Sequence, residues 1–147
     1  MMNATVCVDA SLIVALLVPE RYTTQATALW ETWIEQDVRI TAPALLGYEV
    51  TSALYRKVIQ GTIAQEDGQA ALEHYLALDV DTVHLSELHG EAIRLAVEFT
   101  RPNTYDTHYL ALSSHLASPL WTADERLYNA IKGRFTLIHW VGELPER

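Results

Sequence analysis

Short runs of β-branched and apolar residues alternate along this chain with longer stretches of helical period, and that alternation confines it to one kind of architecture. Val6 to Asp9 reads as a strand, Arg39 to Ala42 as a second ended by Pro43, and Asp81 to His84 as a third. Leu120 to Thr122 and Thr136 to His139 supply two more. Ser11 to Leu17 is a short helix stopped by Pro19. Thr23-Thr24 caps a second to about Ile34, with Ala26, Leu29, Trp30 and Trp33 on its apolar face. Leu45 to Gln60 is a long helix that ends at Gly61, a good residue just past a helix end. Thr62 with Gln65 resembles a capping box for a helix to about Leu78. Glu87 to Phe99, a helix capped by Asn103 or Thr104 and running to about His115, and Glu125 to Ile131 complete the series. Strands alternating with helices make a parallel sheet covered on both faces. With no repeat, linker or low-complexity tract, residues 1–147 are expected to form a single α/β domain.

A chain of 147 residues, half of them apolar, can bury a core without staples. The longest apolar stretch, Leu12 to Val18, is far shorter than the roughly 20 residues of a membrane span. The segment before it holds Asp9 and no Lys or Arg, so no signal peptide is expected. The single cysteine, Cys7, excludes an internal disulfide and fits a reducing cytoplasm; inside a strand it is a small core residue. The net charge of −9 excludes nucleic-acid binding through a broad basic surface. It leaves room for an enzyme whose bound cations supply positive charge locally.

Four carboxylates carry the chemistry: Asp9, Glu49, Asp106 and Asp124. None has a basic residue placed to pair with it locally. Asp9 and Asp124 each follow a strand, and either could cap the helix that comes next. Asp106 falls in the first turn of its helix, where a negative charge meets the positive end of the dipole. Glu49 resists such explanations: it lies mid-helix on the side of Leu45, Leu46 and Ala53, with Arg56 and Lys57 far along the helix. A buried glutamate needs a cationic partner. In a parallel sheet the carboxyl ends of all strands share one edge, and ligands bind there. Two carboxylates about 4 Å apart repel by roughly 4 kcal/mol at an effective dielectric near 20, so four together require cations. Oxygen-only ligands select Mg²⁺ or Mn²⁺ rather than zinc. Ser11, Thr104 and Thr122 place hydroxyls beside these acids.

Four segments resemble the motifs of the PIN-domain family, and within it the VapC-type toxin ribonucleases. They are Val8-Asp9-Ala10-Ser11, the stretch from Ala42 to Val50 around Glu49, the stretch from Tyr105 to Leu112 around Asp106, and Leu120-Trp121-Thr122-Ala123-Asp124. The resemblance runs nearly end to end. It implies a three-layer α/β/α fold with a central parallel sheet of about five strands and acids clustered at its carboxyl edge. It further implies a Mg²⁺ or Mn²⁺ site that hydrolyses RNA. Asp9, Glu49, Asp106 and Asp124 are then the metal-binding and catalytic acids, Asp9 and Asp106 the most direct ligands, and Thr122 a supporting hydroxyl. Thr107 and His108 depart from the small residues usual after the third acid. As partners the resemblance implies RNA, a small cognate antitoxin and a second copy of the chain, with no membrane.

Rival chemistries lack their residues. The six histidines show no HExxH pattern, and there is no glycine-rich phosphate loop. A haloacid-dehalogenase-like phosphatase with Asp9 as nucleophile would want a second aspartate at position 11, where Ser11 stands. A receiver domain would want an acidic pair where Val8 precedes Asp9. A catalytically degenerate PIN fold that only binds a partner is the non-enzymatic alternative, and the presence of all four acids argues against it. The four tryptophans read mainly as core; Arg56, Lys57, Arg101, Lys132 and Arg134 are candidate phosphate contacts.

Overall fold

A computed structural model describes residues 4–146 of the chain. Strands β1 (Thr5–Val8), β2 (Arg39–Pro43), β3 (Asp81–Val83), β4 (Leu120–Thr122) and β5 (Ile138–Trp140) form one sheet in the order β3-β2-β1-β4-β5. Every neighbouring pair is parallel, with Cys7 aligned to Thr41 on one side and Leu120 on the other. The helices are α1 (Ala10–Leu17), α2 (Thr23–Glu35), α3 (Leu46–Ile59), α4 (Gln65–Ala77), α5 (Glu87–Glu98), α6 (Tyr105–Leu116) and α7 (Glu125–Ile131).

Handedness arranges the layers. Parallel crossovers are right-handed, so adding β2 and β3 on one side of β1 puts α1 to α4 on one face. When the chain returns past β1 to lay down β4 and β5, the same handedness puts α5 to α7 on the other. The packing agrees: α1 contacts α2, α3 and α4, while α6 contacts α5, β1 and β2. The central strand is covered on both faces, so Cys7 and Val8 are both wholly buried. Leu12, Ile13, Leu46, Val50, Leu110 and Leu112 close over it from the helices. Trp30 and Trp33 are buried and Trp121 and Trp140 pack half-buried against the core, as expected of them.

Several expected boundaries shift for local reasons. Thr23 does not cap α2; its hydroxyl accepts from the Glu20 amide at 2.8 Å and bonds the Val18 carbonyl at 3.2 Å, fastening the turn before the helix. The start of α4 belongs to Ala64 and Asp67 rather than to Thr62 and Gln65, the Asp67 carboxylate accepting from the Ala64 amide at 3.3 Å. Asn103 accepts from the Tyr105 amide at 3.0 Å, while the Thr104 side chain caps nothing. The last strand begins two residues later than expected because Phe135 still bonds back to Ile131 at the end of α7. Gly61 has φ +76, the left-handed conformation that ends α3. A Cβ on Gly68 would meet Val58 at 2.9 Å, so the glycine permits α3 and α4 to approach.

Candidate active site

The strand order reverses beside β1, and the crevice of a parallel sheet opens at that point on its carboxyl edge. Asp9 leaves β1 and Asp124 follows β4, its neighbour. α3 starts directly after β2, so its first turn, which holds Glu49, lies at this edge. α6 must end at the opposite edge to feed β4, so its first turn, with Asp106, lies here too. All four acids line one cavity of about 840 Å³.

Each acid also stands at a helix N-terminus, where unpaired amides and the dipole favour negative charge. Asp9 caps α1, its Oδ1 accepting from the Leu12 amide at 3.1 Å. Asp124 caps α7, its Oδ1 accepting from the Arg126 and Leu127 amides at 3.0 and 3.2 Å. Glu49 belongs to the first turn of α3, which corrects its placement as a mid-helix residue: the helix begins at Leu46. It is half-buried, with Arg56 and the Tyr109 hydroxyl acting on it.

Asp9 is the most enclosed of the four. The Ser11 hydroxyl donates to its Oδ1 at 2.7 Å and the Thr122 hydroxyl to its Oδ2 at 2.5 Å. Those hydroxyls are held in turn, Ser11 Oγ by the Ala123 amide at 2.9 Å and Thr122 Oγ1 by the Asp124 amide at 2.9 Å. Both side chains therefore orient Asp9. Burial nevertheless pushes the Asp9 carboxyl up to about 6, against these hydrogen bonds and with a further push from Asp106. Burial likewise raises Glu49 and Asp106, with Asp106 raising Glu49 and Asp124 raising Asp106. Asp106 thus links the set, repelling Asp9 and Glu49 and being repelled by Asp124.

Three features escaped the sequence. Arg101 approaches Asp106 at 3.4 Å, so the expectation of no local basic partner fails there, and Arg101 is no free surface cation. The turn through Pro102 and Asn103 folds it back, and a basic residue five positions before an acid is the signal that could have shown it. Tyr109 is buried against the acids, and the charge of Glu49 adds to burial in raising its hydroxyl. No hydrogen bond of ordinary geometry closes on that hydroxyl among the described residues. His108 meets a partner on α5, its Nε2 lying 2.9 Å from Nδ1 of His89.

The cavity lining offers carboxylate and hydroxyl oxygens and no thiol or imidazole, which suits a hard divalent cation. Among the described residues no three His, Cys, Asp or Glu side chains yet form a group that could hold a metal ion. The fit therefore rests on donor chemistry and on the charge repulsion that a cation would relieve.

A model of the PIN domain matches residues 7–134, and the chain belongs to that family. Ribonuclease VapC3 of Pyrobaculum aerophilum is 31% identical over 124 residues, spanning 82% of this chain and 89% of that protein. A Pyrobaculum aerophilum protein of known crystal structure shares the fold with a TM-score of 0.69 at 23% identity, covering 97% of this chain and 93% of its own. VapC20 of Mycobacterium tuberculosis, a toxin that cleaves the sarcin-ricin loop, superposes with a TM-score of 0.65 at 17% identity, over 88% of this chain and 95% of its own.

Proposed function

We propose that this chain is a Mg²⁺- or Mn²⁺-dependent endoribonuclease, the toxin of a type II toxin–antitoxin pair of the VapBC kind. One observation carries the reading: Asp9, Glu49, Asp106 and Asp124, far apart in sequence, line a single cavity at the switch point of the sheet. The ribonuclease name of the VapC3 relative and the toxin name of VapC20 support it.

In this reading Asp9 and Asp106 would hold the cation most directly, with Glu49 and Asp124 beside them. A bound divalent ion would supply Lewis acidity, lowering the pKa of the attacking water and offsetting charge on the scissile phosphate and leaving oxygen. Ser11 and Thr122 keep both oxygens of Asp9 in place. Glu49, raised by burial, is suited to accept a proton from the attacking water. A small antitoxin and a second copy of the chain belong to the same reading, with action on RNA in the cytoplasm. Exposed Tyr55 and Ile59 on α3 and Ile93 and Val97 on α5 offer apolar surface for such partners. Among the described residues no helix is long and apolar enough to cross a membrane.

A catalytically inert binding module is the second reading, and the open arrangement of the carboxylates is the observation on its side. Challenging the purified protein with a cellular RNA pool in Mg²⁺, in Mn²⁺ and in chelator separates the two. Cleavage at defined positions that chelator abolishes is the expected result. Intact RNA under every condition would favour the inert module.

A further inference from the structure

The cavity that holds the acids has a second wall of aromatic and cationic side chains. Tyr48 stands immediately before Glu49 and Tyr105 immediately before Asp106, and both line the cavity. Tyr48 is 78% exposed and Tyr105 54%, so neither ring is spent on the core. Arg21, Arg56 and Lys57 line the same cavity. Lys57 is engaged by Glu20 at 3.1 Å, whereas among the described residues neither Arg21 nor Arg56 makes a salt bridge; Arg21 lies over the Tyr22 ring at 5.2 Å, and the charge of Arg56 acts on Glu49. Exposed tyrosines scattered singly mean nothing. Two of them beside guanidinium groups with no salt bridge among the described residues, in the concave site that holds the acids, are a different matter.

The chemistry of this wall fits one strand of nucleic acid. A chain of net charge −9 must hold a polyanion locally, and two arginines that carry no salt bridge among the described residues are the local means. Aromatic rings add attraction that tolerates any base, because every base has a face to stack. Bases in a duplex are already stacked and paired, so only unpaired nucleotides can use such rings. We propose that Tyr48 and Tyr105 are base-stacking residues for unpaired RNA at this site, with Arg21 and Arg56 meeting its backbone phosphates. The proposal rests on the ribonuclease reading and adds to it the residues that hold the substrate.

The test uses an Asp9→Asn background, so that bound RNA is not cut, and a short single-stranded RNA carrying 2-aminopurine, whose fluorescence is quenched by stacking. Quenching on binding is expected. Tyr48→Ala and Tyr105→Ala should each weaken binding by roughly 5- to 150-fold, the range for losing one base–aromatic stack. Each should reduce the quench, and the corresponding Phe variants should restore both. Arg21→Ala and Arg56→Ala should instead lower the slope of log K against log salt by about 0.7 each while leaving the quench. Thermal unfolding of each variant checks that the fold is kept. If both Tyr→Ala variants bind with unchanged affinity and quench, the stacking role is wrong and the rings serve another surface, such as a protein partner. Wild-type cleavage, run alongside, separates the failures. Indifferent tyrosines with cleavage intact overturn the stacking alone, whereas no RNA binding and no cleavage overturn both readings.

Discussion

Asp9 is ionised at neutral pH against the preference of its surroundings. Its carboxyl is raised from 3.8 to about 6, chiefly by burial, so the folded state disfavours the charge. The sign follows from linkage: a carboxyl raised in the folded protein costs nothing below its unfolded pKa, and costs most once the pH exceeds its folded pKa. In metal-free protein at pH 7 the cost is about 3 kcal/mol. Asp9→Asn should therefore stabilise the chelated protein at pH 7, with the gain fading as the pH falls from about 6 towards 4; denaturant unfolding across that window reads it. Equal stability of the two proteins at pH 7 would remove the argument that Asp9 awaits a cation. Asp9 itself was legible in the sequence because a strand end announces it. Tyr109 was not, since its contact with Glu49 exists only once α6 from one face of the sheet meets α3 from the other.

Helix ends explain how four acids coexist before any cation arrives. Asp9 and Asp124 satisfy amides of α1 and α7, and Glu49 and Asp106 sit in the first turns of α3 and α6. The capping reading of Asp9 and Asp124 holds in the fold, and it leaves room for the proposed role in binding a cation. Asp124 lets the two roles be separated. Asn caps as well as Asp, so Asp124→Asn should keep the melting temperature while reducing RNA cleavage. Asp124→Ala should lose both, at about 1 kcal/mol of stability. Loss of cleavage in the alanine variant alone would mean that the residue acts only as a cap. The meeting of α3 and α4 offers a second check at this scale. Gly68→Ala would push a methyl to 2.9 Å from Val58 and should cost about 1–3 kcal/mol in unfolding measurements, without touching the acids. Strand β4 and helix α7 matched their sequence reading because Pro119 and the Asp124 cap punctuate them. The starts of α2 and α4 were missed because several hydroxyl and acidic residues competed there, and packing chose among them.

At the scale of the molecule, the alternation of strands and helices was enough to foresee a parallel sheet with its acids on one edge. What it could not supply is the reversal of strand order beside β1, which turns a shared edge into a crevice. That reversal brings Asp9 and Asp124 side by side across 115 residues of sequence. It would also reconcile an acidic chain with the proposed RNA substrate, since charge would be managed inside one cavity while the overall surface is left acidic. In the proposed function this cavity cleaves RNA through a cation held by its carboxylates. The direct measurement compares RNA cleavage by the wild-type protein and Asp9→Asn, with Mn²⁺ and then with excess chelator. The account predicts cleavage only by the wild type with Mn²⁺, and an Asp9→Asn protein that is folded and inactive. Cleavage that persists in chelator, or in Asp9→Asn, would contradict it.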